Sequence, residues 1–222
     1  MRKDRSYHSP DLYWEQRLAS DFSLAGSGIS ALGSLPNRVL YQRRLKALVR
    51  IVGRVGIQSL EGQMVLEIGC GTGFYTAFLD NAGVADYIGV DITSVSVHTL
   101  SRRYPGYRFV SGDIGSKVPD EWLNAFDVAI AADVLFHIVD DRKWDRAMAN
   151  IARCLRPSGF LFATEVCGDR TLQPVPHVRL RSADVYCPVL QSAGLELVAA
   201  EPILPVSRIG AFLLRLPGIN KR

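Results

Sequence analysis

From residue 62 onward the chain alternates short apolar runs with stretches in which apolar residues recur every third or fourth position. The runs Met64–Ile68, Tyr87–Asp91, Tyr107–Val110, Phe126–Ala132 and Phe160–Val166 read as strands, and the segments between them, about 73–83, 94–104, 119–124 and 140–156, as helices. Apolar runs without in-and-out alternation belong to strands covered on both faces, and helical connections of this length return the chain to start a parallel neighbour. Leu195–Pro202 and Arg208–Leu216 have little chain between them and read as antiparallel neighbours at one edge. The pattern predicts an α/β fold with a doubly wound, mostly parallel sheet.

Residues 1–60 are patterned differently. Pro10–Ser20 reads as a helix with Leu12, Trp14, Leu18 and Ala19 as its apolar positions, and Ser23–Gly33 as a loop rich in Gly and Ser. Asn37 is placed to cap a second helix, 38–56, with Leu45, Leu48, Val49, Val52 and Val55 as its buried stripe and basic residues on the other faces. The expected organisation is a helical cap over 1–60 and a sheet domain over 61–222.

Composition adds exclusions. With 222 residues, 48% hydrophobic and 22% charged, the chain is neither collagen-like, disordered nor a disulfide scaffold. The net charge of +4 is concentrated: residues 22–60 hold no Asp or Glu and six basic residues, Arg38, Arg43, Arg44, Lys46, Arg50 and Arg54. So mild an excess argues against a nucleic-acid binder. A docking role for helix 38–56 on an anionic membrane, a nucleic acid or an acyl-carrier protein is one alternative; a solvated helix face is the plainer reading. Cys70, Cys154, Cys167 and Cys187 lack metal-ligand spacing and read as reduced thiols of a cytoplasm-like compartment. The first residues lack the apolar core of a signal peptide, and Phe126–Val139, interrupted by Asp127, Asp133 and His137, is too short to span a bilayer.

The chemistry is concentrated in Val65-Leu66-Glu67-Ile68-Gly69-Cys70-Gly71-Thr72-Gly73, where an apolar strand runs into glycines at alternate positions and a helix follows. Residues without Cβ let a ligand touch the backbone, at the strand end where doubly wound sheets bind nucleotides. The dinucleotide spacing G-x-G-x-x-G fails because residue 74 is Phe, and no Gly-Lys-Ser/Thr follows to make a triphosphate loop. Asp91 ends the second strand, where a carboxylate accepts from a ribose diol. Asp113 follows the third strand, placed to accept from an adenine amino group. With Glu67 they make three carboxylates at successive strand ends, a set that repels a triphosphate and favours a cationic cofactor bearing adenosine.

These pieces, with Gly89-Val90-Asp91, Gly112-Asp113-Ile114, Phe126-Asp127-Val128, Asp133-Val134-Leu135-Phe136-His137-Ile138 and Leu155-Arg156-Pro157-Ser158-Gly159-Phe160, lie in order over about residues 62–170. The segment resembles class I S-adenosylmethionine-dependent methyltransferases of the small-molecule branch. The resemblance implies a seven-stranded Rossmann-like sheet with its last strand antiparallel. It implies S-adenosylmethionine as cofactor, with S-adenosylhomocysteine as product. It implies cofactor contacts from Glu67, Gly69, Cys70, Gly71, Gly73, Asp91, Ile92, Asp113, Ile114 and Ala132. The acceptor is expected to be a small metabolite, since Ala131-Ala132-Asp133-Val134 is neither the Asn/Asp-Pro-Pro-aromatic turn of amino-group methylation nor the Pro-Cys of cytosine methylation. A non-catalytic cofactor-binding relative is the remaining alternative.

Methyl transfer is an in-line displacement needing alignment first and a base only for a proton-bearing nucleophile. His137, just beyond the fourth strand, is the candidate base, against a structural role at the next helix start. Asp133 is a candidate for the cofactor's ammonium, a substrate proton or a turn. Tyr7, His8, Tyr13 and Trp14 form a candidate aromatic lid, with a core anchor through Trp14 as the alternative. Glu165 reads as a solvated rim carboxylate. No residue set points to a metal.

Overall fold

A computed structural model of the chain describes residues 9–55, 57, 59–203, 209–215 and 217. Helix α1 (Pro10–Ser20), the short α2 (Leu24–Ser27) and α3 (Ser34–Arg54) precede the sheet. Then come β1 (Met64–Ile68), α4 (Phe74–Asn81), β2 (Asp86–Asp91), α5 (Ser94–Arg103), β3 (Arg108–Ser111), β4 (Phe126–Ala132), α6 (Asp141–Cys154) and β5 (Leu155–Val166). A small hairpin, β6 (Leu172–Val175) and β7 (Val178–Leu180), precedes α7 (Ala183–Ser192), β8 (Glu196–Pro202) and β9 (Ile209–Arg215).

The seven-stranded sheet has the order β3-β2-β1-β4-β5-β9-β8, with β9 antiparallel to both of its neighbours. The strand order reverses beside β1, and a crevice opens there at the carboxyl ends of β1 and β4. Side chains divide by strand period between two core layers. Leu66, Ile68, Ala129, Ala131 and Leu161 meet Trp144, Met148 and Ile151 of α6. Val65, Tyr87, Val128, Ile130 and Phe162 meet α4 and the buried face of α3, including Ala47, Leu48 and Ile51. Helix α3 is thereby packed directly on the sheet.

Several local expectations are corrected. Segment 23–33 holds α2 and a 3₁₀ turn, Ser30–Leu32, and α3 begins at Ser34. Asn37 is fully buried inside the helix; its amide donates to the Ile29 and Gly33 carbonyls at 2.8 and 2.7 Å and accepts from Ile29 N at 2.9 Å. It ties the incoming turn to α3 where a first-turn cap was expected. Val49 is exposed, and Arg44 lies among the buried residues with Leu40, Tyr41, Ala47, Leu48 and Ile51. Segment 119–124 forms one 3₁₀ turn, Asp120–Trp122. Strand β5 starts at Leu155, because Leu155 already pairs with Phe126 before a register shift. The basic character of α3 is partly spent within the chain: Arg44 meets Asp133, while Arg50 and Arg54 meet Glu201 at 2.9 and 2.8 Å. Among the described residues no helix is long and apolar enough to cross a membrane.

Candidate active site

The crevice contains a cavity of about 320 Å³, within the range of small-molecule sites. Its floor is the turn between β1 and α4, where Gly69, Gly71 and Gly73 have φ of +69°, +50° and +81°. A Cβ on Gly69 would meet Val134 Cγ2 at 2.3 Å, so that glycine is required for packing as well as for its left-handed backbone. A Cβ on Gly71 would meet nothing closer than 3.8 Å. That open stretch of backbone faces the cavity. Cys70 and Thr72 line it as well; Gly73 does not, and instead packs against Leu100 at the start of α4.

Asp91 is bound into this loop. Its Oδ2 accepts from Gly71 N at 2.8 Å, and its Oδ1 accepts from Thr93 N at 2.9 Å and Thr93 Oγ1 at 2.7 Å. Burial raises its carboxyl above the usual range, and these donors oppose the rise. Ile92 beside it is exposed at the cavity wall, and Ile114 lines the wall with Asp113. Two of the three expected carboxylates carry less charge toward a ligand than the sequence implied. Asp113 is ion-paired with Lys143 of α6 and accepts from Gly115 N at 2.8 Å. Glu67 accepts from Tyr87 Oη at 2.6 Å and Thr76 Oγ1 at 2.9 Å through one oxygen, and burial lifts its carboxyl to about 7.

At the end of β4, Ala132 and Asp133 line the cavity, and Asp133 has a positive φ of +58°. Thr164 of β5 pins the turn, donating to Asp133 Oδ1 at 2.7 Å and accepting from Asp133 N at 2.8 Å. Arg44 Nε stands 2.8 Å from Asp133 Oδ2. Burial raises the Asp133 carboxyl; Arg44 and then Thr164 pull it back. His137 lies on the 3₁₀ turn Leu135–His137, with Nδ1 2.9 Å from the His177 carbonyl of the β6–β7 hairpin. A carbonyl can only accept, so Nδ1 carries the proton and Nε2 is the acceptor. Burial lowers the imidazole to about 4, so it is neutral at physiological pH.

The roof comes from the N-terminal helices. Pro10, Trp14 and Leu18 of α1, Ser27 of α2 and Tyr41 of α3 line the cavity. The Trp14 ring meets the His137 ring edge-on at 4.8 Å, and Tyr13 stacks on His177 at 4.1 Å without lining the cavity. Tyr7 and His8 lie outside the described residues. Arg17 binds α1 to the following turn, lying over Trp14 at 4.9 Å and donating to the Gly28 carbonyl at 2.5 Å. Across the mouth, Glu15 accepts from Ser94 N at 2.6 Å, Ser94 Oγ at 2.5 Å and Val95 N at 3.2 Å, capping α5 from another helix. Ser27 Oγ lies 3.2 Å from Thr72 Oγ1 and accepts from Tyr41 Oη at 3.0 Å, holding α2 over the glycine turn.

Glu165 is corrected outright: it is 2% exposed, and burial pushes its carboxyl up to about 8. Arg44, Ser27, Tyr41 and Lys143 were not anticipated at the site. One signal was available: Tyr41, Arg44, Leu48 and Ile51 share one helical face, with an arginine at an apolar position.

A family model for the methyltransferase domain matches residues 65–159, the stretch that holds the glycine turn, Asp91, Asp113, Asp133 and His137. The O-methyltransferase cnsE of Penicillium expansum is 32% identical over 151 residues, 66% of this chain and 52% of that protein. Residues 65–159 form a methyltransferase domain with the class I fold. The chain spans about half the length of the curated relatives it matches. Two solved methyltransferases share the fold. One is the N-methyltransferase NodS of Bradyrhizobium japonicum in complex with S-adenosylhomocysteine (TM-score 0.68, 18% identity, 93% of this chain and 97% of that one). The other is the Burkholderia thailandensis 1,6-didemethyltoxoflavin N1-methyltransferase with its substrate and S-adenosylhomocysteine (TM-score 0.65, 19% identity, 94% and 91%). In this class I fold the cavity lies at the strand ends where the two halves of the sheet diverge, and its lining suits an adenosyl cofactor: open backbone at Gly71, a carboxylate at Asp91 and apolar walls at Ile92 and Ile114.

Proposed function

We propose that this protein transfers a methyl group from S-adenosylmethionine to an oxygen, nitrogen or carbon nucleophile of a small-molecule acceptor, by in-line displacement, in the biosynthesis of a metabolite. The observation that carries the reading is the 2.8 Å bond between Asp91 and the amide of Gly71, which sets a carboxylate and exposed backbone on one cavity wall. The cofactor, when bound, supplies an electrophilic methyl on a sulfonium. Asp91 would hold the ribose, Gly69, Cys70 and Gly71 would face the amino-acid end, and Asp113, Ile92 and Ile114 would frame the base. Lys143 and the adenine amino group would share the Asp113 carboxylate. Glu67 acts through the core as the anchor of β1 to Tyr87 and Thr76.

The acceptor would enter under the roof formed by α1, α2 and α3, between Trp14 and His137. His137 Nε2 would accept a hydrogen bond from a proton-bearing nucleophile and orient it. With its imidazole near 4, His137 is a weak base, suited to positioning a nucleophile rather than to holding a proton. The roof excludes water, and its aromatic rings favour the cationic methyl donor. The four cysteines are free, which fits a reducing, cytoplasmic compartment.

Calorimetric titration with S-adenosylhomocysteine tests the cofactor assignment. Asp91→Ala is expected to weaken binding by about 1–3 kcal/mol through lost charge-assisted hydrogen bonds; unchanged affinity refutes the assignment.

A further inference from the structure

Three polar side chains converge on the β4 end of the cavity from three elements: Asp133 after β4, Arg44 from the buried face of α3, and Tyr75 from the first turn of α4. Asp133 and Tyr75 line the cavity directly. Arg44 engages Asp133 Oδ2 through Nε at 2.8 Å, while its Nη1 is buried without a hydrogen-bond partner. The Tyr75 hydroxyl, on a residue 4% exposed, is also buried without one. The Tyr41 ring lies 5.1 Å from the Arg44 guanidinium carbon, and its own hydroxyl is held by Ser27, so the guanidinium is braced on its ring side.

Buried donors are almost always paired, and two unpaired ones beside a single cavity are a demand for an acceptor. A lone neutral oxygen answers that demand poorly. A carboxylate presents two oxygens and matches the guanidinium edge that Asp133 leaves open. We propose that Arg44 and Tyr75 form a carboxylate-binding subsite, in which Asp133 holds the guanidinium in position and a ligand carboxylate takes the two unpaired donors. The proposal rests on the methyl-transfer reading of this cavity. It leaves two sources for the carboxylate: the amino-acid end of S-adenosylmethionine or an acid group on the acceptor.

Calorimetry on the wild type, Tyr75→Phe and Arg44→Met separates the cases. The probes are S-adenosylhomocysteine; 5′-methylthioadenosine, which keeps the adenosyl thioether and lacks the amino-acid end; and benzoate against benzamide with S-adenosylhomocysteine bound. Tyr75→Phe is expected to leave the melting temperature of the free protein unchanged or higher, since the hydroxyl has no partner to lose. It should still weaken the carboxylate ligand roughly fivefold, and Arg44→Met roughly 10- to 100-fold. Losses on S-adenosylhomocysteine that spare 5′-methylthioadenosine place the cofactor's carboxylate there; losses on benzoate that spare benzamide place the acceptor's. The subsite is overturned if neither pair is discriminated, or if 5′-methylthioadenosine weakens as much as S-adenosylhomocysteine. If Arg44→Met does not fold, Tyr75→Phe decides alone. A wild type that binds neither adenosyl compound removes the methyl-transfer reading and this subsite together, whereas adenosyl and benzoate binding that are both indifferent to the two substitutions remove only the subsite.

Discussion

At one end of the cavity, the ligand-facing groups of β1, β2 and β3 come from a single stretch of chain, Gly69 to Ile114, and are largely backbone or a carboxylate bonded to backbone. At the other end, Trp14, Tyr41, Arg44, Tyr75, Asp133 and His137 arrive from the N-terminal helices, α4 and the segment after β4, with His177 behind them. The first end is set by turn geometry and tolerates little change. The second is assembled from side chains held by one another, and this is where members of one fold differ in what they methylate. Recognition of the adenosyl end of the cofactor and acceptor chemistry should therefore fail separately.

The sharpest test of that separation is His137→Ala, expected to cut turnover about 100-fold through lost positioning of the nucleophile, with S-adenosylhomocysteine affinity unchanged in calorimetry. Full activity would return His137 to a structural role. The pH profile should also lack a limb near 6.5, because the imidazole stays neutral down to about 4. At the opposite end, Gly69→Ala drives a Cβ into Val134 and forces a strained φ. Urea titration should show a loss of about 2 kcal/mol or more, and an unaffected midpoint would mean the turn is softer than its geometry.

A third measurement reaches beneath both ends. Glu67 and Glu165 have folded-state values of about 7 and 8, raised by burial. The folded protein then keeps protons that the unfolded chain releases above the ordinary 4.5. Their stabilising contribution is complete below that value and is lost as pH rises through 7 to 8. Stability should fall between pH 5.5 and 8.5 by on the order of 1–3 kcal/mol, with a shallower slope in Glu165→Gln; an identical slope would clear Glu165. The smallest effect expected is that of Glu15→Ala, which removes the acceptor at the start of α5 and should cost about 0.5–1 kcal/mol by thermal melting, leaving cofactor affinity within twofold.

The same division governs what could be read in advance. The glycine turn, Asp91 and the alternation of strands and helices were legible because local spacing expresses them: a strand, a turn without side chains, then a carboxylate one strand later. Arg44 was misread because a polar residue on a helix is ordinarily solvated, and nothing near it in sequence announces Asp133, which comes 89 positions later. Glu165 failed for the same reason: a carboxylate at a strand end looks exposed until the segments that cover it are in place. Asn37 was expected to act forward on its own helix and instead reaches back to Ile29 and Gly33, a choice made by the preceding turn. The β6–β7 hairpin carries weak strand signals, and its part in orienting His137 is played by a backbone carbonyl, which has no sequence signature.

Because Glu15 closes off the start of α5 from across the cavity mouth, the amide protons of Ser94 and Val95 are shielded only while α1 stays in place. Each outward swing of α1 would uncover both protons at once and let deuterium in, so their exchange rates, read by nuclear magnetic resonance, count how often the entrance opens.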